Sequence, residues 1–176
     1  MLFRSGEGGE TKFTDMRAAY DALSDKKKAE IADLVAEHSL VYSRGLIGFT
    51  DYAEEEVRRL GSAKQRVVRT HPGSGRKTLY LAAHAMRIED MPIPEGRILL
   101  KDLMEHATEP RFVYTHRWRV GDMVMWDNRC TMHHVTGYDD LRWPRDYKRA
   151  TVSDVANTLI QENVAIPEAY RRLVAA

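Results

Sequence analysis

A chain of 176 residues with 43% hydrophobic content is long enough to bury one core and too short for two full domains. Its 27 Lys and Arg residues against 26 Asp and Glu give a net charge of +1, which excludes any global attraction to nucleic acid or to an anionic membrane. The single cysteine, Cys130, excludes an internal disulfide, and no apolar run reaches the roughly 20 residues of a membrane span, so a cytoplasmic protein is expected.

The N-terminal residues 1–5 lack hydrophobic periodicity and run into a glycine-rich stretch. We interpret residues 1–5 as an artefact of cloning or gene assembly, with a genuine disordered start as the alternative. Residues 6–176 are expected to belong to one domain.

Helical signals dominate the first third of the chain and return once in the middle. The predicted helices cover residues 14–23, 24–37, 51–60 and 96–107. Thr14 or Asp15 can cap the first helix, and Ser24 can cap the second. The lysines at 26–28 lie beside acidic residues, which predicts a solvated helix face and no nucleic-acid site.

Period-two patterns predict strands in the second half. The predicted hairpins pair residues 66–71 with 78–82 and residues 112–120 with 123–126, and a later strand covers residues 147–152. A terminal helix is predicted for residues 167–174. Hairpins with inserted helices, and without βαβ alternation, predict a mostly β fold such as a jelly roll.

Two motifs carry chemical information. The first is Trp-Asp-Asn-Arg-Cys-Thr-Met-His at residues 126–133, and the second is Arg-Asp-Tyr-Lys-Arg at residues 145–149. Together they resemble the distal half of the site in the taurine dioxygenase and dichlorophenoxyacetate dioxygenase (TauD/TfdA) family. Gly-Gly-Glu-Thr at residues 8–11 is similar to that family's Gly-Gly-Asp-Thr segment, and residues 69–77 resemble its aryloxyalkanoate-degrading branch.

The resemblance implies a double-stranded β-helix (jelly roll) that uses Fe(II), O2 and the cosubstrate 2-oxoglutarate. It places His133 as a metal ligand, Thr11 and Arg145 on 2-oxoglutarate, and Arg149 on a small anionic substrate of the aryloxyalkanoate or sulfonate type. Imidazole suits Fe(II), and arginine presents the planar fork that a carboxylate prefers. The implied reaction hydroxylates the substrate and releases succinate and CO2, with no residue assigned as an acid–base catalyst.

One departure from the family concerns the first pair of iron ligands, a His-x-Asp motif. None of the seven histidines in this chain has Asp or Glu two residues later. Because the family's pair precedes the Gly-Gly-Asp-Thr segment, residues 6–176 are expected to be the C-terminal part of one TauD/TfdA-like domain. The jelly roll should then be incomplete on its N-terminal side, and the fragment should be inactive. The full-length protein could form a homo-oligomer.

Two other functions stay open at this point. A non-catalytic β-barrel module that binds a small anion would need only the arginines, while a cupin-like isomerase or metal lyase would need a cluster of ligands that the histidine spacing does not offer. Each site residue also has a structural interpretation. His133 could be a core histidine, Arg145 and Arg149 could be surface residues, and Thr11 could shape a turn.

Overall fold

The computed structural model describes residues 7–152 and Leu159. The interpretation of residues 1–5 and the helix predicted at residues 167–174 therefore lie outside the described residues. Within residues 7–152 the helices are α1 (Met16–Asp21), α2 (Asp25–Ile31), α3 (Leu40–Gly45), α4 (Glu54–Leu60) and α5 (Ile93–Ala107).

The strands form three small antiparallel sheets in the same part of the chain. They are β1 (Thr11–Asp15), β2 (Val35–His38), β3 (Ala63–Arg66), β4 (Val68–Thr70), β5 (Lys77–Leu79), β6 (Ala85–Ile88), β7 (Val113–His116) and β8 (Thr131–Val135). The strand orders are β7-β1-β8, β3-β2-β6 and β4-β5. The described residues thus combine short antiparallel sheets with inserted helices, as the sequence predicted.

Helices α1 and α2 begin at the N-cap positions that the sequence predicted. The Asp15 carboxylate accepts hydrogen bonds from the backbone N–H groups of Arg17 and Ala18, and the Ser24 hydroxyl accepts one from Lys27. The second helix was predicted too long, because it ends at Ile31 and residues 35–38 form β2. Strand β2 pairs with β3 and β6, and these distant partners outweigh the local helical spacing.

The first predicted hairpin is confirmed and the second is wrong. Strands β4 and β5 pair antiparallel with Val68 opposite Leu79. Residues 123–126 form no strand, and β7 pairs instead with β1, far upstream in the chain. Met123 and Met125 are each 90% exposed, so these two side chains are not buried against other described residues.

The strand predicted at residues 147–152 is also wrong, since the structure assigns no strand to that range. Period-two spacing shows which side chains share a face, but a strand forms only where a neighbouring backbone supplies hydrogen bonds. Nothing in the described residues pairs along this range.

The hydrophobic core lies between α1, α5 and the β4–β5 hairpin. It includes Met16, Leu79, Ile88 and Leu103, each at most 2% exposed. A side chain at Gly96 would have its Cβ 3.3 Å from the backbone nitrogen of Ile88, so glycine lets α5 lie close against β6. None of the described helices combines the length and hydrophobicity required to cross a membrane.

Stability should depend on pH through His38, at the end of β2. Its Nε2 is buried without a hydrogen-bond partner among the described residues, its ring lies 5.9 Å from that of Tyr80, and burial, with His84 nearby, lowers its pKa to about 4. An unfolded histidine titrates near pH 6.5, so the unfolded state binds more protons between about pH 6.5 and 4. The free energy of unfolding is therefore unaffected by His38 above pH 6.5. It decreases as the pH falls through this window, because protonation favours the unfolded state.

We expect the free energy of unfolding of the wild-type chain, measured by urea titration, to fall more steeply between pH 6.5 and 4 than that of His38→Phe. The phenylalanine keeps the ring beside Tyr80 but cannot take up a proton. The difference in slope should approach about 1.4 kcal/mol per pH unit, the value for one proton. Parallel slopes for the two proteins would contradict this assignment.

Candidate functional site

One face of the β7-β1-β8 sheet brings together side chains from distant parts of the sequence. Thr11 and Phe13 are two residues apart on β1 and therefore share a face. His133 on β8 is directly opposite Phe13, and His116 on β7 is directly opposite Thr11. Cross-strand partners project to the same side, so Thr11 and His133 share this face, while His134 projects to the other one.

His133 lies in an aromatic environment. Its ring stacks on Phe13 at 6.1 Å and tilts against Trp126 at 4.9 Å. Neither ring nitrogen has a hydrogen bond to another described residue. Burial, with the nearby charges of Arg149 and His134, lowers the pKa of His133, so the neutral imidazole with an available lone pair dominates near pH 7.

The guanidinium of Arg145 is paired with no carboxylate from the described residues. Its Nε is buried and has no hydrogen-bond partner in the part of the chain that the structure describes. The guanidinium carbon lies 4.7 Å from the ring centre of Tyr147 and 5.8 Å from that of Tyr138. Arg149 is exposed and close enough to influence the titration of His133. The expected strand is absent, yet Arg145 and Tyr147 still lie together.

Thr11 is only 4% exposed, and its hydroxyl accepts a 2.9 Å hydrogen bond from the indole Nε1 of Trp118. That indole stacks on Tyr147, with ring centres 6.4 Å apart and planes inclined by 17°. Two aromatic rings therefore connect Thr11 with Arg145. Sequence reasoning did not single out Trp118, although its spacing from His116 would have placed both on one strand face.

Asp127 connects the turn before β8 to the β4–β5 hairpin. Its carboxylate accepts hydrogen bonds from the backbone and guanidinium of Arg129 and, at 3.0 Å, from Nε2 of His71. The backbone N–H of Ser74 donates to Nδ1 of His71, which leaves the ring proton on Nε2. Burial alone would raise the pKa of Asp127, but the bonds from Arg129 and His71 bring it well below its usual range.

His71, Asp127 and Cys130 have potential metal-binding atoms within 4.8 Å of one another. This cluster does not fit a cation, because Arg129 and the protonated Nε2 of His71 already occupy the carboxylate. Burial raises the pKa of the Cys130 thiol, which disfavours the thiolate that a metal needs.

His133 belongs to no group of three metal-binding side chains within residues 7–152. A facial iron site needs two imidazoles and one carboxylate. With its neutral ring and unoccupied nitrogens, His133 fits the role of one such ligand. The described residues do not supply the other two.

A family model matches residues 3–151, and its description is "Taurine catabolism dioxygenase TauD, TfdA family". This match covers most of the chain and includes all four residues that the sequence pointed to.

Individual relatives agree with the family match. The chain is 51% identical over 149 residues to an alpha-ketoglutarate-dependent 2,4-dichlorophenoxyacetate dioxygenase of Cupriavidus pinatubonensis, covering 85% of this chain and 52% of that protein. It is 42% identical to a (S)-phenoxypropionate/alpha-ketoglutarate-dioxygenase of Sphingobium herbicidovorans, covering 75% and 48%. The chain therefore spans about half the length of these relatives.

A solved structure gives the same result in three dimensions. The crystal structure of AAD-2 in complex with Mn(II) and N-oxalylglycine superposes with a TM-score of 0.85 at 57% identity, covering 89% of this chain and 62% of that one.

Replacing Asp127 should destabilise the turn before β8. Asp127→Asn removes the charge that faces Arg129 and leaves the His71 proton with a weaker acceptor, so we expect a loss of about 1–3 kcal/mol in the free energy of unfolding. Because the pKa of Asp127 is lowered on folding, its contribution is complete above about pH 4 and decreases progressively as the pH falls toward the lowered pKa, so it should be reduced at pH 3. Urea titrations at pH 7 and pH 3 measure both effects.

The exposed Asp140 provides the control, because Asp140→Asn makes the same chemical change away from this network. Equal effects of the two substitutions at pH 7 would show that the Asp127 network does not stabilise the turn.

Proposed function

We propose, because this chain belongs to the taurine catabolism dioxygenase TauD, TfdA family, that it is the C-terminal part of an Fe(II)- and 2-oxoglutarate-dependent dioxygenase. The observation that carries this proposal is the buried Nε of Arg145, which has no acceptor among the described residues. A buried N–H donor of a charged side chain is unfavourable when it has no acceptor, so a ligand carboxylate is the expected complement.

Arg145 and Thr11 would bind the distal carboxylate of 2-oxoglutarate. The guanidinium supplies a charged donor held between two tyrosine rings, and the Thr11 hydroxyl supplies a neutral donor on the sheet. The bound N-oxalylglycine in the AAD-2 structure is an analogue of 2-oxoglutarate, which supports this choice of anion.

His133 would be one of three iron ligands, with a second imidazole and a carboxylate coming from outside these 176 residues. The chain's coverage of about half of its relatives supports this division. Bound iron, with O2 and 2-oxoglutarate, supplies the oxidant for hydroxylation, and succinate and CO2 are released. Around it, the three antiparallel sheets would form part of a jelly roll whose remaining strands also lie outside the chain.

Arg149 would pair with the anionic group of the substrate. Its charge acts on His133, so it is near the proposed metal and still exposed to an incoming molecule. Two relatives are named for 2,4-dichlorophenoxyacetate and phenoxypropionate, which favours an aryloxyalkanoate over a sulfonate. Phe13 and Trp126 beside His133 would offer an apolar surface to an aromatic ring.

The roles of the two arginines can be separated by substitution in the full-length protein. Arg145→Lys should weaken 2-oxoglutarate binding by about 1–3 kcal/mol, because a point charge replaces a planar fork. Arg149→Ala should mainly raise the KM for the aryloxyalkanoate. Arg142→Lys is the matched control, since Arg142 is exposed and contacts Trp143.

Initial rates with each substrate varied in turn measure both effects. A change in the KM for 2-oxoglutarate alone in Arg149→Ala would reverse the two assignments.

The 176-residue chain by itself should release no succinate with Fe(II), ascorbate, 2-oxoglutarate and a panel of aryloxyacetates, because one imidazole cannot replace a three-ligand face. Adding an upstream segment that supplies a His-x-Asp motif should restore both iron binding and succinate release. His133→Ala in that extended protein should abolish them again.

Turnover by residues 1–176 that survives His133→Ala would show that the site lies elsewhere. Binding of 2-oxoglutarate by the extended protein without iron or turnover would instead support the non-catalytic anion-binding module.

A further inference from the structure

Trp118 contacts two aromatic rings and directs its N–H at Thr11. Its ring stacks on that of Tyr147, and the ring of His116 lies 4.5 Å away at an angle of 86°. His116 is itself fixed by a 3.1 Å hydrogen bond between its Nε2 and the carboxylate of Asp122. The indole plane is therefore restrained, and with it the direction in which Nε1 points.

The hydrogen bond between Trp118 and Thr11 can form in only one direction. An indole N–H can donate but cannot accept, so the Thr11 oxygen must be the acceptor. A threonine hydroxyl has a single hydrogen, which then has to be donated elsewhere. Within residues 7–152 the structure gives that hydrogen no acceptor, although Thr11 is only 4% exposed.

The direction matters because a free hydroxyl can rotate either to donate a hydrogen bond or to accept one. Trp118 occupies one lone pair and thereby restricts how the hydroxyl can rotate, while its single hydrogen still needs an acceptor, so an anionic oxygen is a good neighbour for Thr11. The other unsatisfied donor of this region, Nε of Arg145, is linked to Trp118 through Tyr147. Both groups therefore require the same kind of ligand atom.

We propose that Trp118 is a positioning residue that makes the Thr11 hydroxyl a dedicated hydrogen-bond donor to the distal carboxylate of 2-oxoglutarate. The inference rests on the proposed function, because it takes 2-oxoglutarate as the anion. It goes beyond it by assigning a role to Trp118, which acts through its hydrogen bond to Thr11. Through the stack on Tyr147, the same indole sets the spacing between the Thr11 and Arg145 donors.

The test compares 2-oxoglutarate with 2-oxopentanoate, which has the same chain length and 2-oxo acid group but no distal carboxylate. Trp118→Phe keeps an aromatic ring beside Tyr147 but lacks the N–H, and Thr11→Val removes the hydroxyl in a similar volume. Dissociation constants are measured by anaerobic calorimetry on the full-length dioxygenase with Mn(II) in place of iron, so activity is not the readout.

We expect wild type to prefer 2-oxoglutarate. Trp118→Phe should bind it about threefold to tenfold more weakly, and Thr11→Val about tenfold or more, because the bond from the hydroxyl to a carboxylate is charge-assisted. Binding of 2-oxopentanoate should not change. The double variant should be no weaker than Thr11→Val, because the indole acts only through the hydroxyl.

Three outcomes would overturn the assignment. Unchanged 2-oxoglutarate binding by Trp118→Phe, equal losses for both ligands, or losses that multiply in the double variant would each remove the positioning role while the proposed function stands. If wild type fails to prefer 2-oxoglutarate, the proposed function fails, and the inference fails with it.

A second measurement covers the case in which Trp118→Phe does not fold. Hydrogen exchange of the Trp118 indole N–H, followed by NMR, should be slow in wild type and at least several-fold faster in Thr11→Val, which has no acceptor oxygen. Thr11→Ser, which keeps the hydroxyl, should retain the protection. Equal exchange in wild type and Thr11→Val would rule out the hydrogen bond on which the proposal depends.

Discussion

The pairing of β1 with both β7 and β8 is the constraint on which the rest of the site depends. Strand β1 lies in the middle of its sheet, with neighbours that come from about 100 residues further along the chain. Its register sets Phe13 opposite His133 and Thr11 opposite His116. A slip of one residue would turn every β1 side chain to the other face and separate Thr11 from His133.

The turn that precedes β8 depends on a second network. Asp127 binds Arg129 within the turn and His71 on the β4–β5 hairpin, and the backbone oxygen of Cys130 accepts a hydrogen bond from Met16 at the start of α1. Three elements are thereby joined at one point, next to the strand that presents His133. Because the carboxylate is fully used in this way, the cluster that resembles a metal site by distance alone serves a structural purpose.

The described residues supply more of the proposed anion-binding site than of the proposed metal site. For the proposed anion, Arg145 supplies a cationic donor and Thr11 supplies a hydroxyl. The rings of Trp118 and Tyr147 connect these two residues, so the proposed anion-binding groups are preorganised. For the metal, the described residues supply one imidazole. A chain that spans about half the length of its relatives would be expected to carry only part of such a site.

The sequence by itself determined the caps of α1 and α2, the β4–β5 hairpin, the helix near residues 96–107 and, through two short motifs, the family. These features depend on neighbouring residues, such as Asp15 with Arg17 and Ala18, so local spacing is sufficient to predict them. Tertiary structure alone decided that residues 35–38 form a strand, that residues 123–126 and 147–152 do not, and that Trp118 meets Thr11. Those outcomes depend on which distant backbone supplies hydrogen bonds and which surface supplies packing, and period-two or helical spacing carries no information about either.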